Sequence, residues 1–135
     1  MHKFNFFHKL LLRLYALSFV WLFTSVVNAC ENNGNGYKGI SYLPCTPENE
    51  FFPDLSKIEK NTLIYFCSPN NPTGATATKE QLKKLVDFAN ENGCIIIYDA
   101  AYFAFIRDKN LPKTIYEISG AKTCAIEVNS FSKPA

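Results

Sequence analysis

Hydrophobic and polar positions divide this chain into unlike parts. From Leu63 onward, apolar runs alternate with polar, turn-rich stretches; the runs are Leu63 to Cys67, Cys94 to Tyr98 and Cys124 to Val128. Unbroken apolar runs bounded by turn residues predict parallel strands covered on both faces. Between the first two, Leu82, Leu85, Val86 and Ala89 recur at helical spacing and form one apolar stripe. Lys83, Lys84, Asp87, Asn90 and Glu91 take the other side as a solvated face. Thr78 and Gln81 make a capping box at the start of this helix. Gly93 is placed to end it in a left-handed turn. A strand–helix–strand unit of this kind predicts an α/β fold, a mainly parallel sheet with covering helices.

The flanking stretches are less regular. Ile40 to Leu43 reads as a short edge strand ending at Pro44. Cys45 to Leu55 holds Pro47 and Pro53 and reads as an ordered loop in which Phe51 and Phe52 serve packing. Asp99 to Arg107 is an aromatic loop with a short helical turn, Asp108 to Lys113 is turn-like, and Thr114 to Ser119 is one helical turn. Residues 31–39, rich in Asn and Gly, read as a linker, and residues 40–135 form the domain. Residues 1–30 stand apart. A basic start leads into an uncharged apolar stretch from Leu14 to Val27, with Ala29 before Cys30. Two readings stay open for them: a secretory or lipoprotein-type signal, or a misassigned start joined to the domain.

Composition narrows the function classes. A chain of 135 residues has room for one domain with a modest core. Its net charge of +2, with no dense basic run, gives no footprint for nucleic acid. The five cysteines, at 30, 45, 67, 94 and 124, are odd in number and form no close pair, which speaks against a disulfide framework or a zinc site and for a reducing compartment. Both histidines, His2 and His8, lie in the first ten residues, so histidine-based catalysis or metal binding in the domain is excluded.

Candidate chemistry gathers after the strand runs. In open parallel sheets ligands bind beyond the carboxyl ends of the strands. Those ends deliver Asn71, Asp99, Tyr102, Ser130 and Lys133 to one edge. A lysine forms a Schiff base with a carbonyl compound or with the aldehyde of pyridoxal 5′-phosphate, and pyridoxal enzymes pair it with an acid at the pyridine nitrogen. Asp99 suits that nitrogen; without the cofactor its charge would be under-compensated. Tyr102 and Asn71 suit the ring's phenolic oxygen, and Ser130 a phosphate oxygen. Taken singly, each residue except Asn71 reads more simply as a turn, a cap or packing. Their order, each after a strand, favours the site.

The motifs Ser68-Pro69-Asn70-Asn71-Pro72-Thr73-Gly74, Tyr98-Asp99-Ala100-Ala101-Tyr102 and Asn129-Ser130-Phe131-Ser132-Lys133 resemble those of the class I/II pyridoxal-phosphate-dependent aminotransferases of fold type I. Looser pieces, Cys45 to Leu55 and Ile115 to Ile118, carry a narrower likeness within that family. The resemblance covers about Gly36 to the end. It implies amino transfer between glutamate and tetrahydrodipicolinate on the route to lysine, amino-acid and keto-acid substrates, a homodimer in the intact family, and a cytoplasmic or plastid location. Lys133 would hold the cofactor aldehyde and shuttle a proton, Asp99 would hold the pyridine nitrogen, Asn71 and Tyr102 the phenolic oxygen, and Ser130 the phosphate. No metal enters. Family members are much longer, so the expectation is an internal fragment of the large domain, inactive alone. The alternatives are a secreted or anchored non-catalytic remnant of the fold and another pyridoxal enzyme of the same fold.

Overall fold

The computed structural model describes residues 23–27 and 40–131. The linker reading of 31–39, most of the signal-like segment and Lys133 lie outside them. The described chain runs β1 (Phe23–Val27), β2 (Ile40–Pro44), β3 (Leu63–Cys67), α1 (Lys79–Asn92), β4 (Ile95–Asp99), α2 (Ala121–Cys124) and β5 (Ala125–Val128), with single 3-10 turns between several of them. The strands form one sheet in the order β2-β1-β3-β4-β5. The expected parallel unit is present: β3 pairs β4 with Leu63 opposite Ile95 and Cys67 opposite Asp99. Next to it β5 is also parallel, with Asp99 opposite Val128. Backbone pairing of β1 with both β2 and β3 is antiparallel, so the sheet is mixed and β2 lies at its edge as expected.

Local sequence explains α1 closely. The Thr78 side chain accepts from the Gln81 amide at 3.1 Å, and the Gln81 side chain accepts from the Thr78 amide at 2.9 Å. These bonds satisfy donors that a helix start leaves without partners. At the other end Gly93 adopts φ +68, and a Cβ there would sit 2.5 Å from the Asn61 Oδ1. Leu82, Leu85, Val86 and Ala89 are fully buried. They pack with Ile64 and Phe66 of β3, Ile96 and Tyr98 of β4, and Ile115, Ala121 and Cys124 in one core. Phe52 extends it, meeting Phe66 edge-on at 6.0 Å between ring centres.

Three expectations shift. First, β4 and β5 each start one residue later than their apolar runs. Gly120, at φ +88, starts the short helix α2, and Cys124 closes it, buried against α1. Second, Asn90 is more than a solvated residue. Its amide donates to the Gly120 carbonyl at 3.0 Å and its carbonyl accepts from Thr123, tying the turn to α1. Third, the strands are not covered on both faces among the described residues. Alternate residues of β3 and β5 point away from α1, and there Ile126 is 55% and Val128 40% exposed. An apolar run records that both faces are apolar; it does not record what lies against them.

Candidate functional site

The site begins where β3 ends. After Cys67 the chain turns through Ser68 to Thr76, and a small hydrogen-bond set fixes its shape. The Asn70 amide donates to the Ala75 carbonyl at 2.8 Å, the Gly74 amide to the Asn70 carbonyl at 2.7 Å, and the Thr73 hydroxyl to the Asn70 Oδ1 at 2.9 Å. Gly74 takes φ +71, a conformation favouring glycine. Buried Ser68 accepts from the Ala77 amide at 2.9 Å, closing the turn against the entry to α1. Asn71 is thereby left exposed at the tip, and its Nδ2 donates to the Tyr102 hydroxyl at 3.0 Å. These two residues, separated by 31 positions, are thus brought together.

Asp99 ends β4, half-buried. Its Oδ1 accepts from the Ala101 amide at 3.0 Å, shaping the turn that leads to Tyr102. Its Oδ2 accepts from the Tyr65 hydroxyl. Tyr65 is the residue that sequence reasoning missed. It lies two positions before Cys67 on the same face of β3, and Cys67 is the register partner of Asp99. The only trace in the sequence was a polar-tipped ring in an otherwise apolar run. Asp99, expected to lack compensation without a cofactor, has two donors from the chain itself.

Burial first, then the bond to Asp99, push the Tyr65 phenol far above its ordinary value. Burial, reinforced by the Asp99 charge, pushes the Cys67 thiol up to about 12. Both groups therefore stay protonated at neutral pH, and Tyr65 remains a donor.

Backbone bonds align the three strand ends. The Ser68 amide donates to the Asp99 carbonyl at 3.0 Å, and the Ala100 amide to the Val128 carbonyl at 2.9 Å. Ser130 follows two residues after Val128, half-buried, at the same edge. Lys133 is outside the described residues. Between Cys67, Asn70 and Gln81 lies a cavity of about 20 Å³, room for about one water. None of the described candidate residues lines it, so these candidates belong to the open edge and not to this cavity. Glu127 serves the fold instead. It accepts from the Thr114 hydroxyl at 2.6 Å and the Ile115 amide at 2.9 Å, pinning the Ile115–Glu117 turn to β5. Among the described residues no group of three or more His, Cys, Asp or Glu side chains comes together to hold a metal, and no helix is long and apolar enough to cross a membrane.

At the adjacent ends of the parallel strands β3 and β4 the α/β sheet sets an amide–phenol pair and a held carboxylate, on the edge where open parallel sheets bind ligands. Residues 14–134 match the family model described as aminotransferase class I and II, and the chain belongs to that family. Over 114 residues it is 61% identical to the LL-diaminopimelate aminotransferase of Protochlamydia amoebophila, covering 82% of this chain and 28% of that protein. It is 58% identical to the chloroplastic LL-diaminopimelate aminotransferase of Arabidopsis thaliana over 99 residues, 73% of this chain and 21% of the relative. The solved L,L-diaminopimelate aminotransferase of Chlamydomonas reinhardtii superposes with a TM-score of 0.68 at 59% identity, over 78% of this chain and 26% of that one. The chain thus spans about a quarter of the length of these relatives. The family match begins at residue 14, upstream of Gly36, where the motif likeness starts, and so takes in part of the segment 1–30 that stands apart in the sequence. Phe23–Val27 in that part pairs into the sheet.

Proposed function

We propose that this chain carries the cofactor-contacting strand ends of a pyridoxal-phosphate-dependent LL-diaminopimelate aminotransferase, the activity its relatives are named for, with the amino transfer between glutamate and tetrahydrodipicolinate that the motif resemblance implies. The observation that carries the reading is the 3.0 Å bond from Asn71 to Tyr102, beside a strand that ends in Asp99. Two hydrogen-bonding groups of unlike chemistry meet at one point, an arrangement that suits a single phenolic oxygen and fixes its orientation.

The residues present fit the cofactor. Asp99 offers an anion to a protonated ring nitrogen, with its orientation held by Ala101 and Tyr65. Asn71 and Tyr102 offer donors to the phenolic oxygen, Ser130 a hydroxyl to the phosphate, and Lys133 an amine to the aldehyde. When bound, the cofactor supplies an electron sink for the substrate carbon. The chain's own contribution is to orient that ring, to keep its nitrogen protonated through the Asp99 charge, and to move a proton through the Lys133 amine. Amino-acid and keto-acid substrates and a homodimer belong to the same proposal. Positioning supplies much of an enzymatic rate, so full turnover needs the parts of the relatives' length that this chain does not span.

Adding pyridoxal 5′-phosphate to the full chain, reducing with borohydride and mapping the labelled peptide tests the reading. Label on Lys133 alone is expected. Label spread over many lysines, or none, would favour a non-catalytic remnant of the fold.

A further inference from the structure

We propose that Tyr65 is a standing partner of Asp99: its hydroxyl satisfies the carboxylate before cofactor arrives, then shares it with the cofactor's ring nitrogen and moderates the grip. This deepens the function proposed above and rests on it. The geometry is specific. Oδ2 of Asp99 accepts from Tyr65 while Oδ1 accepts from the Ala101 amide, so both oxygens are engaged by the chain itself. The Tyr65 side chain stands on the sheet face that carries Asp99, one strand away in the parallel register. A hydroxyl donated to a carboxylate draws charge from it and weakens its attraction for a second donor. Burial and the neighbouring anion keep that phenol protonated, so the donation persists across the neutral range.

Two effects therefore point the same way. Without Tyr65, the half-buried carboxylate loses a partner and the cofactor-free chain is less stable. The same loss leaves the carboxylate more attractive to a pyridinium proton. A side chain that only filled space would weaken folding and cofactor binding together; Tyr65 should move them in opposite directions.

The test uses the full chain, native and Tyr65→Phe. Two ligands are titrated: pyridoxal 5′-phosphate, and its analogue with C–H in place of the ring nitrogen. Denaturant unfolding is measured on the cofactor-free chains. The native chain should prefer the nitrogen-bearing ligand. Tyr65→Phe should lower the unfolding midpoint and raise that preference about threefold or more, a fraction of the strength of one hydrogen bond to a charged group because the carboxylate is only shared. Installing 3-fluorotyrosine at position 65 keeps the ring and strengthens the donor, so it should lower the preference; it decides the matter if the phenylalanine variant does not fold. A preference unchanged or reduced by Tyr65→Phe overturns the role of Tyr65 and leaves the proposed function standing. No preference in the native chain overturns the assignment of Asp99, and this inference with it.

Discussion

The side-chain amide of Asn71 donates to the hydroxyl of Tyr102 at 3.0 Å, joining the turn after β3 to the loop after β4. If both groups serve one ligand oxygen, they act as a unit, and their removal should not be additive. Asn71→Ala and Tyr102→Phe are each expected to weaken pyridoxal 5′-phosphate binding about tenfold, the effect of one good hydrogen bond. The double variant should lose clearly less than the product of the two. Absorbance titration of the four chains checks this, and multiplicative losses would separate the two residues.

The stripe on α1 is the main mechanical support of the site, because it packs under the strands that carry Cys67 and Asp99. Leu85 has no exposed surface. Leu85→Ala is expected to cost about 2–5 kcal/mol, a large share of the stability of a domain this small. Exposed Lys84→Ala on the opposite side should stay within about 0.5 kcal/mol. Denaturant midpoints of the two variants give the comparison directly.

Gly93 tests the helix end. Its φ of +68 disfavours a side chain, and a Cβ would meet the Asn61 Oδ1 at 2.5 Å. Gly93→Ala should therefore destabilise by about 1 kcal/mol or more. Asn61→Gly removes the obstructing amide while allowing the positive φ of 57 that Asn61 adopts. In that background the cost of Gly93→Ala should shrink; thermal unfolding of the four combinations measures the difference.

Alkaline pH probes the buried acids near the strand ends. Burial raises the Cys67 thiol from 9.0 to about 12 and the Tyr98 phenol from 10.0 to about 12. Both raised groups are neutral when protonated, so the folded chain holds their protons more tightly than the unfolded chain does. Their contribution is fully present below about pH 9 and is lost as pH rises toward 12. The unfolding free energy should stay flat up to about pH 9 and then fall. Cys67→Ala should remove part of that slope, and a slope equal to that of the native chain would show that the thiol does not titrate as described.

What the sequence determined was local. The capping box of Thr78 and Gln81, the stripe from Leu82 to Ala89 and the stop at Gly93 arise from interactions a few residues apart, and α1 follows them closely. The apolar runs placed β3, β4 and β5 to within a residue, and the motif residues after them named the candidate chemistry. The tertiary structure decided what depends on strands meeting through space. Parallel register brought Tyr65 to Asp99 across 34 positions. The turn at Asn70 and Gly74 aimed Asn71 at Tyr102, and α1 drew Asn90 to Gly120 and Thr123. Antiparallel pairing also set β1 between β2 and β3. Such contacts leave no periodic mark along a chain, because they are fixed by how separate elements pack and not by which residues are neighbours.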